Sequence, residues 1–160
     1  NDLLMHITQL HSVFIPVNKH GAQSSQNARL IEDAYASSTQ ILYFPAGLCS
    51  RKKGKEICDL EWKKSFIVKS VKHNRDVVPV FFTGQNSKFF YNLARLRTFL
   101  GIKANIEMLY LVDEMFSQKG KRISVKFGKP IPYCTFNNSK TPLGWANWVK
   151  NIVYQMQSQK

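Results

Sequence analysis

The sequence predicts an α/β protein, a three-layer αβα sandwich with a mixed, mostly parallel central sheet. Three observations point there. Segments rich in β-branched and aromatic residues alternate with segments of helical period. The run Asp76-Val77-Val78-Pro79-Val80-Phe81-Phe82 is almost continuously apolar, the pattern of a strand covered on both faces. A short apolar run, Gln40-Ile41-Leu42-Tyr43, stops at Pro45 and a turn at Gly47, and Ser50, Arg51, Lys52 and Lys53 follow. Cations at a glycine turn on the carboxyl edge of a strand are how α/β sheets hold anions.

In chain order, residues 3–10 are apolar and read as a short helix. Residues 11–17 are β-rich and read as the first strand, ended by Asn18-Lys19-His20-Gly21. Ser24 or Ser25 can cap a helix to about Ser38, with Ile31, Ala34 and Tyr35 facing inward. Residues 40–45 are the second strand, and 46–58 a basic loop. Asp59 can cap a helix to about His73, with Trp62, Phe66, Ile67, Ser70 and Val71 on one side and lysines on much of the rest. Asn74 is a helix stop. The run 76–82 is the third strand, with Pro79 at an edge or bend because it lacks a ladder donor. A helix over 88–100 stops at Gly101. Residues 105–112 read as a strand, and 121–127 as a half-exposed strand with Ile123, Val125 and Phe127 on one face. Thr141-Pro142 opens a last helix, whose stripe of Trp145, Trp148, Val149, Ile152, Val153 and Met156 reads as core packing.

At 160 residues the chain is expected to form one domain, 1–160. An apolar content of 44% places it among globular proteins. The formal charge of +13 calls for an anionic partner: lipid headgroups, an acidic carrier protein, a phosphorylated substrate or nucleic acid. Cys49, Cys58 and Cys134 have neither metal-ligand nor disulfide-framework spacing, which suits a reducing cytoplasm. Cys49 has no histidine placed in sequence to serve it and reads as an inert thiol. No phosphate-loop or dinucleotide fingerprint occurs. No apolar run is long enough for a membrane span.

Four segments, in order, resemble one family. Phe14-Ile15-Pro16-Val17-Asn18-Lys19 is similar to an F-P-V-D-R strand end. Phe44-Pro45-Ala46-Gly47 with Ser50, Arg51 and Gly54 is similar to F-P-E-G-T-R-S-R-x-G. Trp62-Lys63-Lys64-Ser65-Phe66 followed by Val77-Val78-Pro79-Val80 is similar to F-K-K-G-x-F then V-V-P-V. Phe127-Gly128-Lys129-Pro130-Ile131 is similar to a closing F-G-x-P-I. Over about residues 12 to 132 the chain thus resembles the glycerolipid acyltransferase superfamily of the lysophosphatidic-acid type. Its wording is nearest the bacterial hemolysin-related branch, which overlaps with enzymes that O-acylate lyso-aminolipids.

The resemblance implies transfer of a fatty acyl group from a thioester, on acyl carrier protein or coenzyme A as co-substrate, to a lipid hydroxyl, with no further cofactor and no metal. It implies a peripheral protein on the inner, cytoplasmic face of the cell membrane. Lys19 and Arg51 would contact the acceptor's anion, with Lys53 adding charge, while Gly47 and Ser50 would offer N–H and hydroxyl donors. The family's general base lies in a His-x-x-x-x-Asp motif, in which the carboxylate orients the imidazole. Here His11 stands five residues after His6, Pro16 after His11, Ser25 after His20 and Val78 after His73. The resemblance therefore implies a chain truncated at its N-terminus, with the catalytic pair upstream of Asn1 and an inactive remainder. A non-catalytic lipid-binding or scaffold relative is the alternative. A basic nucleic-acid module is a third reading, but the chain lacks a helix-turn-helix, RNA-recognition or zinc motif, so no nucleic acid is expected. Ala46, Leu48 and Cys49 replace the family's Glu, Thr and Arg. This suits an acceptor whose headgroup carries a carboxylate rather than a simple phosphate. The lysines at 63, 64, 69 and 72, with Trp62 and the basic loop, are expected to face an anionic bilayer or an acidic carrier protein.

Overall fold

A computed structural model of the chain describes residues 8, 13–15, 17 and 25–158. The chain divides into two compact units, Asn1–Phe44 and Pro45–Lys160. In the first, helix α1 spans Ser25–Ala36. Ile31, Ala34 and Tyr35 are half-buried, as the spacing predicts, and so are Asn27 and Glu32. Residues 40–44 follow outside any strand, with Leu42, Tyr43 and Phe44 exposed. The expected second strand is therefore not formed. The helix expected over 3–10 and the strand over 11–17 fall largely outside the described residues.

The second unit holds a two-stranded hairpin, β1 Arg51–Lys53 and β2 Glu56–Cys58, then helix α2 Ser65–Lys72. Strand β3 Val80–Phe82, helix α3 Lys88–Phe99, a 3-10 turn Ile106–Tyr110 and the short helix α4 Leu111–Phe116 follow. The unit closes with strand β4 Val125–Phe127, a 3-10 turn Tyr133–Thr135 and helix α5 Pro142–Ser158.

The predicted sandwich with a mostly parallel sheet is overturned. Among the described residues there are five α-helices and two separate two-stranded sheets, both antiparallel: β1 with β2, and β3 with β4. Val80, Phe81 and Phe82 pair with Phe127, Lys126 and Val125. The physical reason lies in strand length and partner. The apolar run 76–82 contributes only three ladder residues, because Pro79 has no N–H to donate. Pro79 instead accepts from the Gly128 N–H at 2.8 Å, and Val77 exchanges a bridge with Ile131. A strand of this kind is satisfied by one antiparallel neighbour, and Phe82 remains exposed on it.

The core lies between α2 and α5. Helix α5 starts at Thr141-Pro142, where Thr141 Oγ1 accepts the Gly144 N–H at 3.1 Å. It buries Trp145, Ala146, Val149 and Val153 against Trp62, Phe66, Ile67, Ile131 and Phe136. Edge-to-face rings knit this cluster: Trp62 on Phe66 at 6.2 Å and Phe136 on Trp145 at 5.7 Å. The Trp145 indole N–H donates to the Asn137 carbonyl at 2.9 Å, so the buried ring carries no orphaned donor. The aromatic and aliphatic stripe of the last helix is thus core, as its spacing predicts.

Two further expectations change. The strand expected over 105–112 is helical, a 3-10 turn running into α4. Asp113 and Glu114 stand in the first turn of α4, where carboxylates favour a helix N-terminus. Helix α2 begins at Ser65, not at Asp59, because the Asp59 carboxylate is engaged elsewhere. Asn74 (φ 52°) and Gly101 (φ 70°) do adopt the left-handed conformation that ends α2 and α3.

Candidate functional site

The basic stretch after Phe44 builds one loop and one hairpin. Pro45 and Ala46 form a turn, and Gly47 takes φ +66°, a conformation that costs a side-chain-bearing residue. A Cβ at Gly47 would meet nothing, so the backbone angle and not crowding selects glycine there. The Pro45 carbonyl accepts the Lys63 N–H at 2.9 Å, and Ala46 packs on the core. The loop is thereby tied to the entry of α2.

Asp59 fastens the other end. Its carboxylate accepts from Ser50 Oγ at 2.6 Å and from the Trp62 indole at 3.0 Å. Its N–H donates to the Tyr154 phenol oxygen at 2.8 Å, and its carbonyl accepts from Lys150 Nζ at 3.2 Å. One residue outside regular structure thus joins the loop, the segment that leads into α2, and α5.

Arg51 turns inward. Its guanidinium meets Glu107 Oε1 at 2.7 Å, donates to the carbonyls of Cys49 and Ser50, and lies 5.8 Å from the Phe90 ring centre. Glu107 has no exposed surface, and Arg97 approaches its second oxygen, Nε to Oε2, at 2.9 Å. That second approach is a Coulombic contact and not an aligned hydrogen bond, since neither atom has a partner by hydrogen-bond geometry. A buried carboxylate between two guanidiniums locks β1, the 3-10 turn and α3 together. Tyr91, beside this cluster, accepts the Asn86 N–H at 3.2 Å, and burial pushes its phenol above the ordinary tyrosine range.

Of the residues predicted from sequence, Gly47, Ser50 and Arg51 share this loop and Lys53 stands two residues on, exposed, opposite Glu56 at the hairpin end. Lys19 lies outside the described residues. Ser50 and Arg51 spend their side chains on Asp59, on Glu107 and on neighbouring carbonyls, while Lys52 and Lys53 face solvent. Trp62 is buried in the core with Phe66 and Ile67, as the helical spacing predicts, and so is not available beside the lysines for a bilayer. The sequence reading missed Glu107 and Arg97. A lone acid inside the apolar stretch 105–112 of a strongly basic chain was the available signal; its pairing across 56 positions was not. Among the described residues no group of three or more His, Cys, Asp or Glu side chains converges on a metal-sized site. No helix among them is long and apolar enough to cross a membrane.

With this geometry in view, comparison with known proteins supplies the class. A family profile described as "Acyltransferase" matches residues 1–158, and the chain belongs to that family. More particularly, it is 54% identical over 156 residues to the lyso-glycine lipid O-acyltransferase of Bacteroides thetaiotaomicron, covering 98% of this chain and 57% of that protein. It is 53% identical over 156 residues to the protein of the same name from Phocaeicola vulgatus, covering 56% of it. The chain therefore spans a little over half the length of these curated relatives. No solved structure matches it significantly.

Proposed function

We propose that these residues are the acceptor-holding part of an acyltransferase that esterifies the hydroxyl of a lyso-lipid bearing a glycine headgroup. The acceptor oxygen bonds to the acyl carbonyl carbon, the thioester C–S bond breaks, and the hydroxyl proton leaves with the thiol of acyl carrier protein or coenzyme A. The observation that carries this reading is the 54% identity over nearly the whole chain to a lyso-glycine lipid O-acyltransferase. The loop supports it chemically. A glycine headgroup ends in a carboxylate, which suits the exposed hairpin cation Lys53 and the N–H groups around Gly47. Ser50 and Arg51 serve this site by fixing the loop through Asp59 and Glu107. The protein works at the inner face of the cell membrane, where its acceptor resides.

The test is acyl transfer by the protein expressed from its full reading frame, offered a lyso-glycine lipid with either thioester and read by product mass. Ester formation is expected. Lys53→Glu is expected to raise the lyso-lipid KM roughly tenfold with kcat nearly kept, the signature of lost ground-state binding. No product with either thioester overturns the proposal. A second reading, a non-catalytic lipid-binding relative, is favoured by one observation: none of the four histidines has an Asp five positions on. Headgroup-selective lipid binding without turnover would establish it.

A further inference from the structure

The outward face of α3 is apolar. The helix buries Phe90, Tyr91 and Ala94. At one turn of 100° per residue, Phe89, Leu96, Phe99 and Leu100 gather on the opposite side. Phe99 is 84% exposed and Leu96 53%. Phe89 stacks edge-on against Tyr110 at 5.1 Å, which extends the patch onto the 3-10 turn. Asn92, Arg95, Leu96 and Phe99 line a shallow groove there. From Lys88 to Ile106 the sequence holds four cations and no acid, and the next acid, Glu107, is wholly buried.

Large apolar side chains that stand in water beside charges of one sign match an anionic bilayer. The rings and Leu side chains enter the acyl boundary while Lys88, Arg95 and Lys103 stay among the headgroups. The cationic face of α2 offers a smaller apolar component, Val68 and Val71 with no exposed ring, because Trp62 is in the core. We infer that the α3 face, with Phe99 and Leu96 at its centre, is a membrane-docking surface for anionic lipid. The inference rests on the proposed lipid acyltransferase reading, since an acceptor with acyl chains is presented by a bilayer. It adds where the protein sits on that bilayer.

Vesicle sedimentation tests it with the protein expressed from its full reading frame and no lyso-lipid, so docking is read apart from turnover. Vesicles of phosphatidylcholine alone are compared with vesicles that also contain phosphatidylglycerol. Preferential, salt-sensitive binding to the anionic vesicles is expected. Leu96→Ser with Phe99→Ser is expected to lower partitioning at least about tenfold, by removing inserted apolar surface. Both positions are exposed, so an unchanged thermal melt shows that the fold is kept. Phe99→Trp is expected to give a blue-shifted emission on binding. Anionic vesicles bound equally well by the double variant would overturn the assignment. So would no binding by the unaltered chain, including the case where it is dimeric and the double variant monomeric, which would make the face a contact between copies. So would binding to an acidic carrier protein instead of vesicles, abolished in the double variant. Failure here with acyl transfer intact would leave the proposed reaction standing and remove only this surface.

Discussion

Glu107 is surrounded by two guanidiniums and has no exposed surface. A charge so placed is tolerable only while its partners remain, because its desolvation is offset by the field of both and the hydrogen bond from Arg51. Glu107→Gln is expected to lower unfolding free energy by about 3 kcal/mol in urea titrations, since it leaves Arg51 and Arg97 facing each other without an anion. A loss below about 1 kcal/mol would class the contact with exposed ion pairs. Tyr91 and Tyr154 give a pH prediction. Burial is the first cause that raises both phenols, so the folded state holds its protons where the unfolded chain loses them. Their contribution is complete below the ordinary tyrosine pKa of about 10 and is lost as pH rises through and beyond it. Stability is expected to fall steeply on the alkaline side of that value, and Tyr154→Phe is expected to flatten the fall in melts taken across it.

The elements differ in how plainly their residues declared them. Helix α5 was legible because Thr141-Pro142 fixes its start and its buried stripe repeats at helical spacing. The ends of α2 and α3 were legible from Asn74 and Gly101, which hold left-handed angles. The start of α2 was not, because Asp59 looks like a cap in sequence and turns out to bind Ser50 and Trp62. The hairpin β1–β2 was hidden inside a basic loop, since Lys52 and Lys53 give no apolar alternation to read. Its turn rests on Gly54 at φ +61°, with open space around a built Cβ. Gly54→Val is therefore expected to cost about 1–2 kcal/mol through backbone strain alone, with Gly54→Asn milder. Parallel melts of the two variants check this, and equal costs would point to crowding instead.

For the molecule as a whole, the sequence conveyed the family and most core residues of α2 and α5, Val71 excepted because it is exposed, but not the sheet. Alternating strand and helix patterns suggested parallel strands, yet pairing partners are non-local. Val80–Phe82 finds its neighbour more than forty positions later, running the other way. What carries the second unit is the cluster between α2 and α5. Ile67, 2% exposed within it, is expected to cost about 2–5 kcal/mol when cut to Ala, depending on how far the cavity collapses. The urea midpoint reports it, and a change of a few tenths would move the structural centre elsewhere. The candidate site was half legible: Gly47, Ser50 and Arg51 share one loop, but the anions that hold Ser50 and Arg51, Asp59 and Glu107, could be identified only in three dimensions.

The junction at Asp59 also bears on isotope exchange. Its amide lies outside every helix and strand, where solvent deuterium ordinarily enters within moments. Here that amide is donated to a phenol on the terminal helix. Its deuteration should then follow detachment of α5 rather than local fraying, and should lag behind that of its irregular neighbours.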